Sequence, residues 1–422
     1  PTRYSSVIPT TTVTIVGGGS SAHILIPFLS MTHKHTVNLL TRRPKAWSKY
    51  VTTELHSMNE EILEVYEGSL HRISDEPGDV ITEADVIVLC MPVHQYRSAL
   101  HRIAPFINRE KNQVFVGTIY GQAGFNWMVH EMERTFCLIN TVCFAVGLIP
   151  WICRTVSYGS KGVNYGCKEV NVVAVTPRDH FECLNEIFLD DICHRWLQKG
   201  QFVQACSFLS LTLSVDNQII HPARCYGIWK EYHGKSSTGE GYWDKVEDAP
   251  LFYRDFDETS ATILKQLDDD YTKIRDAVRA HFPSRPFTYM LDYLSLQRLT
   301  HQNEHEDILE SFHLSKQLGL IKTPTREWTT KSGACTFSLD TDSRFFTDDI
   351  PYGLLVAKWV AEKLQVVTPN IDEVILWAQT LRGETFIRQN DGSIDLEACL
   401  KEKFTSGIPP SYGIEDVDKI LD

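Results

Sequence analysis

The chain has 422 residues, 43% of them hydrophobic and 23% charged, which is ordinary for a globular protein and leaves room for two domains. Its formal net charge of −13 and the lack of a Lys/Arg-rich run argue against a nucleic-acid partner. The same negative balance means that any bound anion needs positive side chains placed close to it.

The cysteines and the apolar segments bear on the cellular compartment. The eleven cysteines show no C-x-x-C spacing, so reduced thiols fit better than a disulfide framework, and no metal site is expected. No apolar run approaches the about 18 residues that a membrane span requires, so no membrane partner is expected. These features together predict a cytoplasmic protein.

Apolar, β-branched segments in the N-terminal half predict buried strands, and helical segments alternate with them. The predicted strands cover residues 12–16, 36–41, 84–90, 113–117 and 170–175. A helix is predicted over residues 21–30, where Pro27 should bend or shorten it. Strands that alternate with helices form a parallel, doubly wound sheet, so we expect an α/β fold with an N-terminal Rossmann domain.

A glycine-rich loop follows the first predicted strand. The run Gly17-Gly18-Gly19-Ser20-Ser21-Ala22 fits G-x-G-x-x-[GA] and opens a helix, as the dinucleotide-binding motif requires. Gly17 permits the tight turn, Gly19 lets the backbone approach the pyrophosphate, and Ala22 keeps the helix close to the sheet. The helix N-terminus at Ser20 and Ser21 offers amide donors and a positive dipole to the phosphates. The alternative is a glycine turn that only connects two elements.

The end of the second predicted strand indicates which dinucleotide binds. An NAD-preferring site has Asp or Glu there, which accepts a hydrogen bond from the ribose 2′-hydroxyl. This chain has Thr41-Arg42-Arg43-Pro44-Lys45 instead, and Arg42 or Arg43 can neutralise a 2′-phosphate. We therefore predict NADP(H), with NAD(H) as second choice. The alternative is that one or both arginines are solvated loop residues.

Two further loops are expected to face the cofactor or the substrate, because ligands bind at the carboxyl ends of parallel strands. The first is Met91-Pro92-Val93-His94, in which Pro92 is the predicted cofactor contact. The second is the glycine-rich run of residues 117–125. Either segment could instead be an ordinary connecting loop.

The pattern changes beyond about residue 205, where β-branched runs become rare. Residues 258–281 and 350–364 have helical periodicity. We place a boundary near residues 200–205. The sequence thus predicts a dinucleotide-binding Rossmann domain over residues 1–203 and a mainly α-helical substrate and catalytic domain over residues 204–422.

A histidine with an asparagine four residues before it closes an apolar segment. Residues 206–220 predict a helix ending in Asn217-x-x-x-His221, a spacing that puts both side chains on one face. Pro222 disfavours helical geometry at His221, so the imidazole is expected at a helix end or kink. A lone histidine in apolar surroundings is more often a structural residue, and this alternative stays open for His221 taken alone.

The ten residues from Arg344 to Gly353 carry the strongest functional signal. Arg344 supplies a cation for an anionic substrate, and Asp349 supplies a carboxylate that can orient a base. Alternatively, Asp349 caps the helix that follows and Arg344 forms a surface ion pair. With the glycine loop and His221, this cluster predicts a nicotinamide-dependent reduction of a carboxylate-bearing substrate.

The motifs in this order resemble those of the opine dehydrogenases, the octopine/nopaline dehydrogenase family, and the resemblance covers nearly the whole chain. It rests on Gly17-Gly18-Gly19-Ser20-Ser21-Ala22, Tyr120-Gly121-Gln122, Leu148-Ile149-Pro150-Trp151-Ile152-Cys153-Arg154, Asn217-x-x-x-His221-Pro222-Ala223-Arg224 and Arg344-x-x-x-x-Asp349-x-Pro351-Tyr352-Gly353, of which the last two are the specific ones. Two features depart from the family pattern: the glycine loop carries serines and His23 where many relatives have Asn or further Gly and Ala, and Arg42-Arg43 departs from NAD-preferring members.

The resemblance implies reductive condensation of an α-keto acid, commonly pyruvate, with the amino group of an amino acid. It also implies that His221 is the proton donor and acceptor at the substrate and that Asp349 fixes its tautomer. Arg344 then clamps a substrate carboxylate, while Gln122 and Cys153 contact the amino acid.

The expected partners are therefore two small molecules, the keto acid and the amino acid. Asn217, on the same predicted helix face as His221, is a further candidate for substrate binding. The protein is predicted to be a monomer or a homodimer.

Two other functions stay open on the sequence. A reductase of a simple keto or hydroxy acid needs no amine, although relatives in fold such as glycerol-3-phosphate dehydrogenase-like enzymes favour a catalytic lysine. A non-catalytic nucleotide-sensing protein keeps the Rossmann fold and uses its second domain for partners. The intact set of His221, Arg344 and Asp349 argues against the second alternative.

Overall fold

The computed structural model describes residues 10–57, 59–214, 216–302, 305–313, 319, 321–401 and 406–421. These residues form two compact units. The first unit contains those up to Met91 together with Gln95–Leu211, and the second contains Pro92–His94 and Thr212–Leu421. The division into domains over residues 1–203 and 204–422 stays a prediction.

The first unit is built on two sheets. In chain order its described strands are β1 Thr11–Val16, β2 His35–Leu40, β3 Tyr50–His56, β4 Ile62–Ser69, β5 Arg72–Ser74, β6 Val86–Leu89, β7 Val114–Thr118, β8 Thr141–Val146, β9 Trp151–Ser157, β10 Lys161–Cys167, β11 Val170–Thr176 and β12 Gln201–Gln204. The larger sheet has the order β12-β11-β8-β7-β6-β1-β2-β5, and the smaller one has the order β4-β3-β10-β9. The run β5-β2-β1-β6-β7-β8 is parallel throughout and has the strand order of a Rossmann fold, which confirms the predicted fold class.

Strand β11 departs from the parallel pattern. It pairs antiparallel with β8 and parallel with β12. The chain between β8 and β11 forms β9 and β10 in the smaller sheet, whereas a parallel return usually runs through a crossover helix. The strand predicted over residues 170–175 is confirmed as a member of this sheet, where it forms an antiparallel pair with β8.

Helices flank the larger sheet along the chain of the first unit. They are α1 Ser20–Ser30, α2 Tyr96–Ile103, α3 Phe125–Phe136, α4 Phe181–Leu184, α5 Asp190–Ile192 and α6 His194–Leu197. The strand residues Val86–Leu89 are all buried, as expected for the centre of a parallel sheet. Helix α1 confirms the predicted helix to within one residue. Pro27 is buried inside it and does not shorten it, since the helix continues to Ser30.

The smaller sheet is a finding that the sequence patterns do not predict. Strand β3 pairs antiparallel with β4 and parallel with β10, which in turn pairs antiparallel with β9. Six of the eight residues of β4 are exposed, so this strand lacks the buried alternating face by which a strand is recognised.

The second unit is mainly helical, as predicted. From residue 208 onward the described helices are α7 Phe208–Leu213, α8 Asn217–Tyr232, α9 Glu258–His281, α10 Tyr293–His301, α11 Ile308–His313, α12 Arg344–Thr347, α13 Leu355–Lys363, α14 Pro369–Arg382 and α15 Leu396–Leu400, and the hairpin strands are β13 Thr325–Thr329 and β14 Cys335–Leu339. The helix predicted over residues 258–281 is confirmed. The segment predicted over residues 350–364 is helical too, with a π-helical turn over Ile350–Leu354 before α13.

Helix α8 corrects the predicted position of the histidine. The helix expected over residues 206–220 is instead interrupted after α7, where the Ser214 hydroxyl bonds the carbonyl of Tyr289 and the amide of Leu291. A new helix begins at Asn217 and continues through Pro222, so the histidine lies in its second turn rather than at a helix end. Pro222 is the sixth residue of this helix, so α8 lacks the backbone bond that an amide at this position would make to the Gln218 carbonyl, yet the helix continues to Tyr232.

The described residues contain neither a membrane-spanning helix nor a cluster of metal ligands. None of the helices in these ranges is long and apolar enough to cross a membrane. Across the same ranges no group of three or more His, Cys, Asp or Glu side chains could hold a metal ion. The eleven cysteines all lie in the described part of the chain, and each is a thiol without a disulfide.

Candidate active site

The glycine loop has the geometry that its sequence motif requires. Gly17 has a φ of +107°, and a Cβ there would lie 2.4 Å from the Cys90 carbonyl oxygen, so only glycine fits. A Cβ at Gly19 would meet nothing closer than 3.7 Å. The backbone at Gly19 is therefore accessible to a ligand, immediately before α1 begins at Ser20. The buried Ala22 packs α1 against the core.

His23 joins the glycine loop to the smaller sheet. Its side chain is completely buried, and burial lowers its pKa, so the imidazole is neutral. The Nδ1–H group donates to the Gly19 carbonyl at 2.9 Å, and Nε2 accepts from the Gly159 amide at 2.9 Å. The sequence motif allows any residue at this position, so no local signal indicates this bridge.

Aromatic side chains cover the middle glycine. A Cβ at Gly18 would lie 2.9 Å from both the Trp47 ring and the Tyr158 hydroxyl. The Arg43 guanidinium lies over the Tyr158 ring at 4.2 Å, a cation–π contact, while Arg42 is exposed. Both arginines follow closely on the end of β2 at Leu40.

Four more residues singled out by the sequence lie in the first unit. Gln122 follows β7 and is buried, with its Oε1 atom accepting from the Tyr120 hydroxyl at 2.7 Å. Cys153 lies in β9 and is also buried. Ser20 and Thr155 approach with their hydroxyl oxygens 3.1 Å apart. Ser21 lies in the first turn of α1.

The structure brings the predicted base and its carboxylate together in the second unit. His221 Nδ1 and Asp349 Oδ2 are 2.7 Å apart, although 128 residues separate them in the chain. Asp349 precedes the π-helical turn, but its side chain makes no capping bond there. The geometry is that of a histidine oriented by a buried carboxylate, an arrangement suited to general acid–base chemistry.

Aromatic residues enclose the imidazole of His221, which is only 1% exposed. The Phe345 ring stacks on it with centroids 3.9 Å apart, and the Phe252 ring approaches at 5.6 Å. The second ring nitrogen, Nε2, lies 2.8 Å from the Tyr253 hydroxyl. Sequence reasoning missed Tyr253, which lies in a loop without a recognisable motif.

Burial controls the ionisation of the pair. It lowers the pKa of His221 well below the ordinary value of 6.5, and the positive charge of Arg344 acts in the same direction. Burial also raises the pKa of the Asp349 carboxyl well above its ordinary range, with Arg344 opposing that shift. A neutral imidazole is the resting form at neutral pH, so it can accept a proton without first losing one.

The other predicted substrate contacts of this unit lie near the pair. Arg344 is the first residue of α12, is exposed, and has its guanidinium carbon 5.8 Å from the Phe345 ring centre. After burial, its positive charge is the second influence on both groups and lowers the pKa of His221 and of Asp349. Asn217 is the first residue of α8, is half-buried, and lies one turn before His221.

Asp348 fixes the segment that contains Pro92. Its carboxylate accepts from the amides of Val93 and His94 at 3.1 and 3.2 Å and lies 2.5 Å from His94 Nδ1. Pro92 itself is exposed at the start of this segment. Two adjacent acids thus have separate partners, since Asp348 holds a loop and Asp349 holds the histidine.

Arg224 fixes the loop that contains the tyrosine. It lies on α8 one turn after the histidine and is completely buried. Its Nε atom donates to the Phe252 carbonyl at 3.0 Å, and its Nη2 atom donates to the carbonyls of Leu251 at 3.4 Å and Asp255 at 2.7 Å. Its Nη1 atom donates to Asp257 at 2.7 Å. One helix therefore supplies the base and also positions the hydroxyl that contacts it.

Known proteins are similar to this chain in sequence and in fold. The family described as NAD/NADP octopine/nopaline dehydrogenase, alpha-helical domain, matches residues 204–382. Opine dehydrogenase of Haliotis discus hannai and octopine dehydrogenase of Mizuhopecten yessoensis are each 26% identical to this chain, over 97% of it and 98% of their own length. A solved structure of octopine dehydrogenase with NADH and L-arginine shares the fold, with a TM-score of 0.78, 22% identity and 98% of both chains covered. The predicted resemblance to the opine dehydrogenases is thus confirmed: residues 204–382 match the helical domain of that family, and nearly the whole chain is similar to these relatives.

Proposed function

We propose that the protein catalyses the NAD(P)H-dependent reductive condensation of an α-keto acid, pyruvate foremost, with the amino group of an amino acid. The observation that carries this proposal is the buried pair of His221 and Asp349 with Arg344 beside it. Relatives add support, because solved octopine dehydrogenase structures hold NADH with L-arginine or with pyruvate. A tauropine dehydrogenase of Arabella iricolor is 24% identical over 97% of this chain.

The first unit has a loop that fits a dinucleotide. Gly17 makes the turn and Gly19 leaves its backbone open, so the start of α1 at Ser20 can donate amides to a pyrophosphate. The reduced nicotinamide, when bound, supplies a hydride to the substrate carbon.

The residues of the second unit transfer the proton to the substrate nitrogen and bind the carboxylate of the keto acid. Condensation of ketone and amine releases water and leaves a C=N bond, and its reduction adds one hydride at carbon and one proton at nitrogen. His221 provides that proton and recovers it in the reverse direction, while Asp349 holds the ring and stabilises its charged form. Arg344 binds the carboxylate that the keto acid carries.

A matrix of keto acids against amino acids, monitored by cofactor absorbance with NADH and with NADPH, tests the proposal. We expect oxidation of the reduced cofactor only when both a keto acid and an amino acid are present. Oxidation by the keto acid alone would favour a simple keto acid reductase. No turnover over a broad panel would favour a nucleotide-sensing protein.

We further propose that NADPH is the preferred cofactor. The end of β2 is followed by Arg42 and Arg43 rather than by an acid, and Arg43 is held over the Tyr158 ring. The NADP+ complex of yersinopine dehydrogenase, a protein similar in fold with a TM-score of 0.61, supports a phosphate-binding variant of this site. Replacing both arginines with alanine should raise the KM for NADPH by about tenfold or more, equivalent to about 1.4 kcal/mol.

The same double variant should leave the KM for NADH within about twofold of the wild-type value, since NADH has no 2′-phosphate. Arg109→Ala, which removes another exposed arginine of the first unit, is the matched control and should change neither constant. A wild-type enzyme that favours NADH tenfold would contradict the assignment.

We expect Arg344→Lys to lower kcat/KM for the keto acid by about 10- to 100-fold. Lysine keeps the charge but loses the planar pair of donors that matches a carboxylate, and charge-assisted bonds contribute about 1.5–3 kcal/mol. The measurement compares pyruvate with a ketone of similar size that lacks the carboxylate, at a fixed amino acid concentration.

Arg326→Lys is the control for this variant, because Arg326 pairs with Asp342 on an exposed strand of the same unit. It should leave kcat/KM unchanged. Equal turnover of the keto acid and of the carboxylate-free ketone by the wild-type enzyme would remove Arg344 from the proposed role.

A further inference from the structure

The imidazole of His221 has both nitrogens engaged by the protein. Nδ1 is bonded to Asp349, and Nε2 is 2.8 Å from the hydroxyl of Tyr253. Because Nδ1 is hydrogen-bonded to Asp349, a proton that passes between His221 and a substrate must leave or enter through Nε2. The His221 side chain is only 1% exposed, and the Tyr253 hydroxyl is in contact with this nitrogen.

Tyr253 is held in this position from three directions. The buried Arg224 donates to the carbonyl of Phe252, next to the tyrosine in the chain. The amide of the same Phe252 donates to the Ile321 carbonyl at 2.8 Å. The Tyr253 ring itself stacks on Phe312 with centroids 5.8 Å apart. Because a buried arginine uses its donors to hold this one loop, the position of the Tyr253 hydroxyl is fixed by the fold.

We propose that Tyr253 relays the proton between His221 and the substrate nitrogen, an inference that rests on the proposed function. In the reductive direction the tyrosine O–H bond breaks as its proton goes to the nitrogen of the C=N group, while hydride arrives at carbon. The tyrosine oxygen takes the proton from Nε2–H of the charged imidazole at the same time. The resting, neutral ring has acquired that proton from the ammonium group of the amino acid, which must lose it before the amine can attack the ketone. His221 becomes neutral, the hydroxyl is restored, and the opposite sequence operates in oxidation.

The chemistry of the contact suits a relay because the direction of this hydrogen bond follows the charge of the histidine. A neutral Nε2 accepts from the tyrosine hydroxyl, and a protonated Nε2–H donates to the tyrosine oxygen. A hydroxyl can donate and accept simultaneously, which a phenylalanine ring cannot. If the Tyr253 hydroxyl only occupied the position that the substrate nitrogen takes beside His221, it would slow the reaction. Its removal would then raise kcat.

Tyr253→Phe separates these roles. We expect kcat to fall by about 100- to 1000-fold, within the range of general acid–base catalysis, with cofactor binding measured by fluorescence unchanged. Tyr293→Phe is the matched control, because Tyr293 also stacks on Phe312 and its hydroxyl contacts Ser311 at 2.8 Å. The control should keep the kcat of the wild-type enzyme, and thermal unfolding of both variants checks that each is folded.

Solvent isotope measurements give a readout that a merely structural role would not move. The experiment uses a cofactor that carries deuterium at the position of the transferred hydride. The rate of the wild-type enzyme, plotted against the fraction of D2O, should then follow a curve, since two protons move together. Tyr253→Phe should give a straight line. A kcat within threefold of the wild-type value, or a curve retained in the variant, would overturn the relay. A wild-type enzyme without turnover of keto acid and amino acid would instead contradict the proposed function.

Discussion

Replacing His221 by alanine is expected to lower turnover by about two to four orders of magnitude, the usual range for the loss of a general acid–base group. The imidazole is the group bonded to both Asp349 and Tyr253, so its removal breaks the whole chain of proton transfer. Dinucleotide binding should stay near the wild-type value, because the glycine loop lies in the first unit. Steady-state kinetics and cofactor fluorescence measure the two quantities separately.

Asp349→Asn should also reduce turnover, and the double variant should be scarcely slower than His221→Ala, because the two residues act as one unit. His281→Ala is the control, since His281 forms a similar histidine–carboxylate contact with Asp418 at 2.6 Å on the exposed surface. It should leave turnover unchanged. Additive losses in the double variant would show that Asp349 acts independently of the histidine.

The pH dependence of opine oxidation provides a second check on His221. Oxidation requires the neutral base, and burial holds the pKa of this imidazole below its ordinary value of 6.5. The rate should therefore be maintained as the pH falls to about 6.5 and should be lost only below that pH. His221→Ala should abolish this acid limb, whereas a limb above pH 6.5 in the wild-type enzyme would contradict the assignment.

The features that the sequence predicted share a local signature. The glycine loop between β1 and α1 is recognisable because backbone constraints at Gly17 act within a few residues. Helix α9 is recognisable because its apolar face recurs with helical periodicity. The base and its carboxylate were each identified from short motifs and from their resemblance to a family, and the contact between them is a finding of the structure.

The features that the sequence did not predict depend on contacts between distant segments. Tyr253 has no motif around it. Its proposed role depends on its contact with His221, which lies 32 residues away in the chain. Asp348 precedes the aspartate of the motif, yet its partners are 254 and 255 residues away in the chain. The predicted helix end near His221 was wrong because Pro222 was treated as a helix terminator, whereas α8 continues through it to Tyr232.

Replacing Arg224 by methionine should cause the largest loss of stability among the changes considered. Methionine has a similar length but no donors, so the carbonyls of Leu251, Phe252 and Asp255 lose their buried partner. Loss of one member of a buried polar network costs about 3–5 kcal/mol. For a unit of this size the unfolding midpoint should fall by about 6–20 °C, measured by calorimetry.

The comparison with an exposed charge shows why burial decides the size of this effect. Lys265→Met removes a cation paired with Asp269 on the surface of α9, where an exposed ion pair contributes about 0.2–1 kcal/mol, so its midpoint should stay within about 4 °C. Arg224→Lys should lie between the two variants, because one ammonium cannot reach all the acceptors of a guanidinium. If Arg224→Met instead unfolds at the wild-type temperature, then the loop that holds Tyr253 must be positioned by its other contacts. Arg224 would then not determine the position of the Tyr253 hydroxyl beside His221.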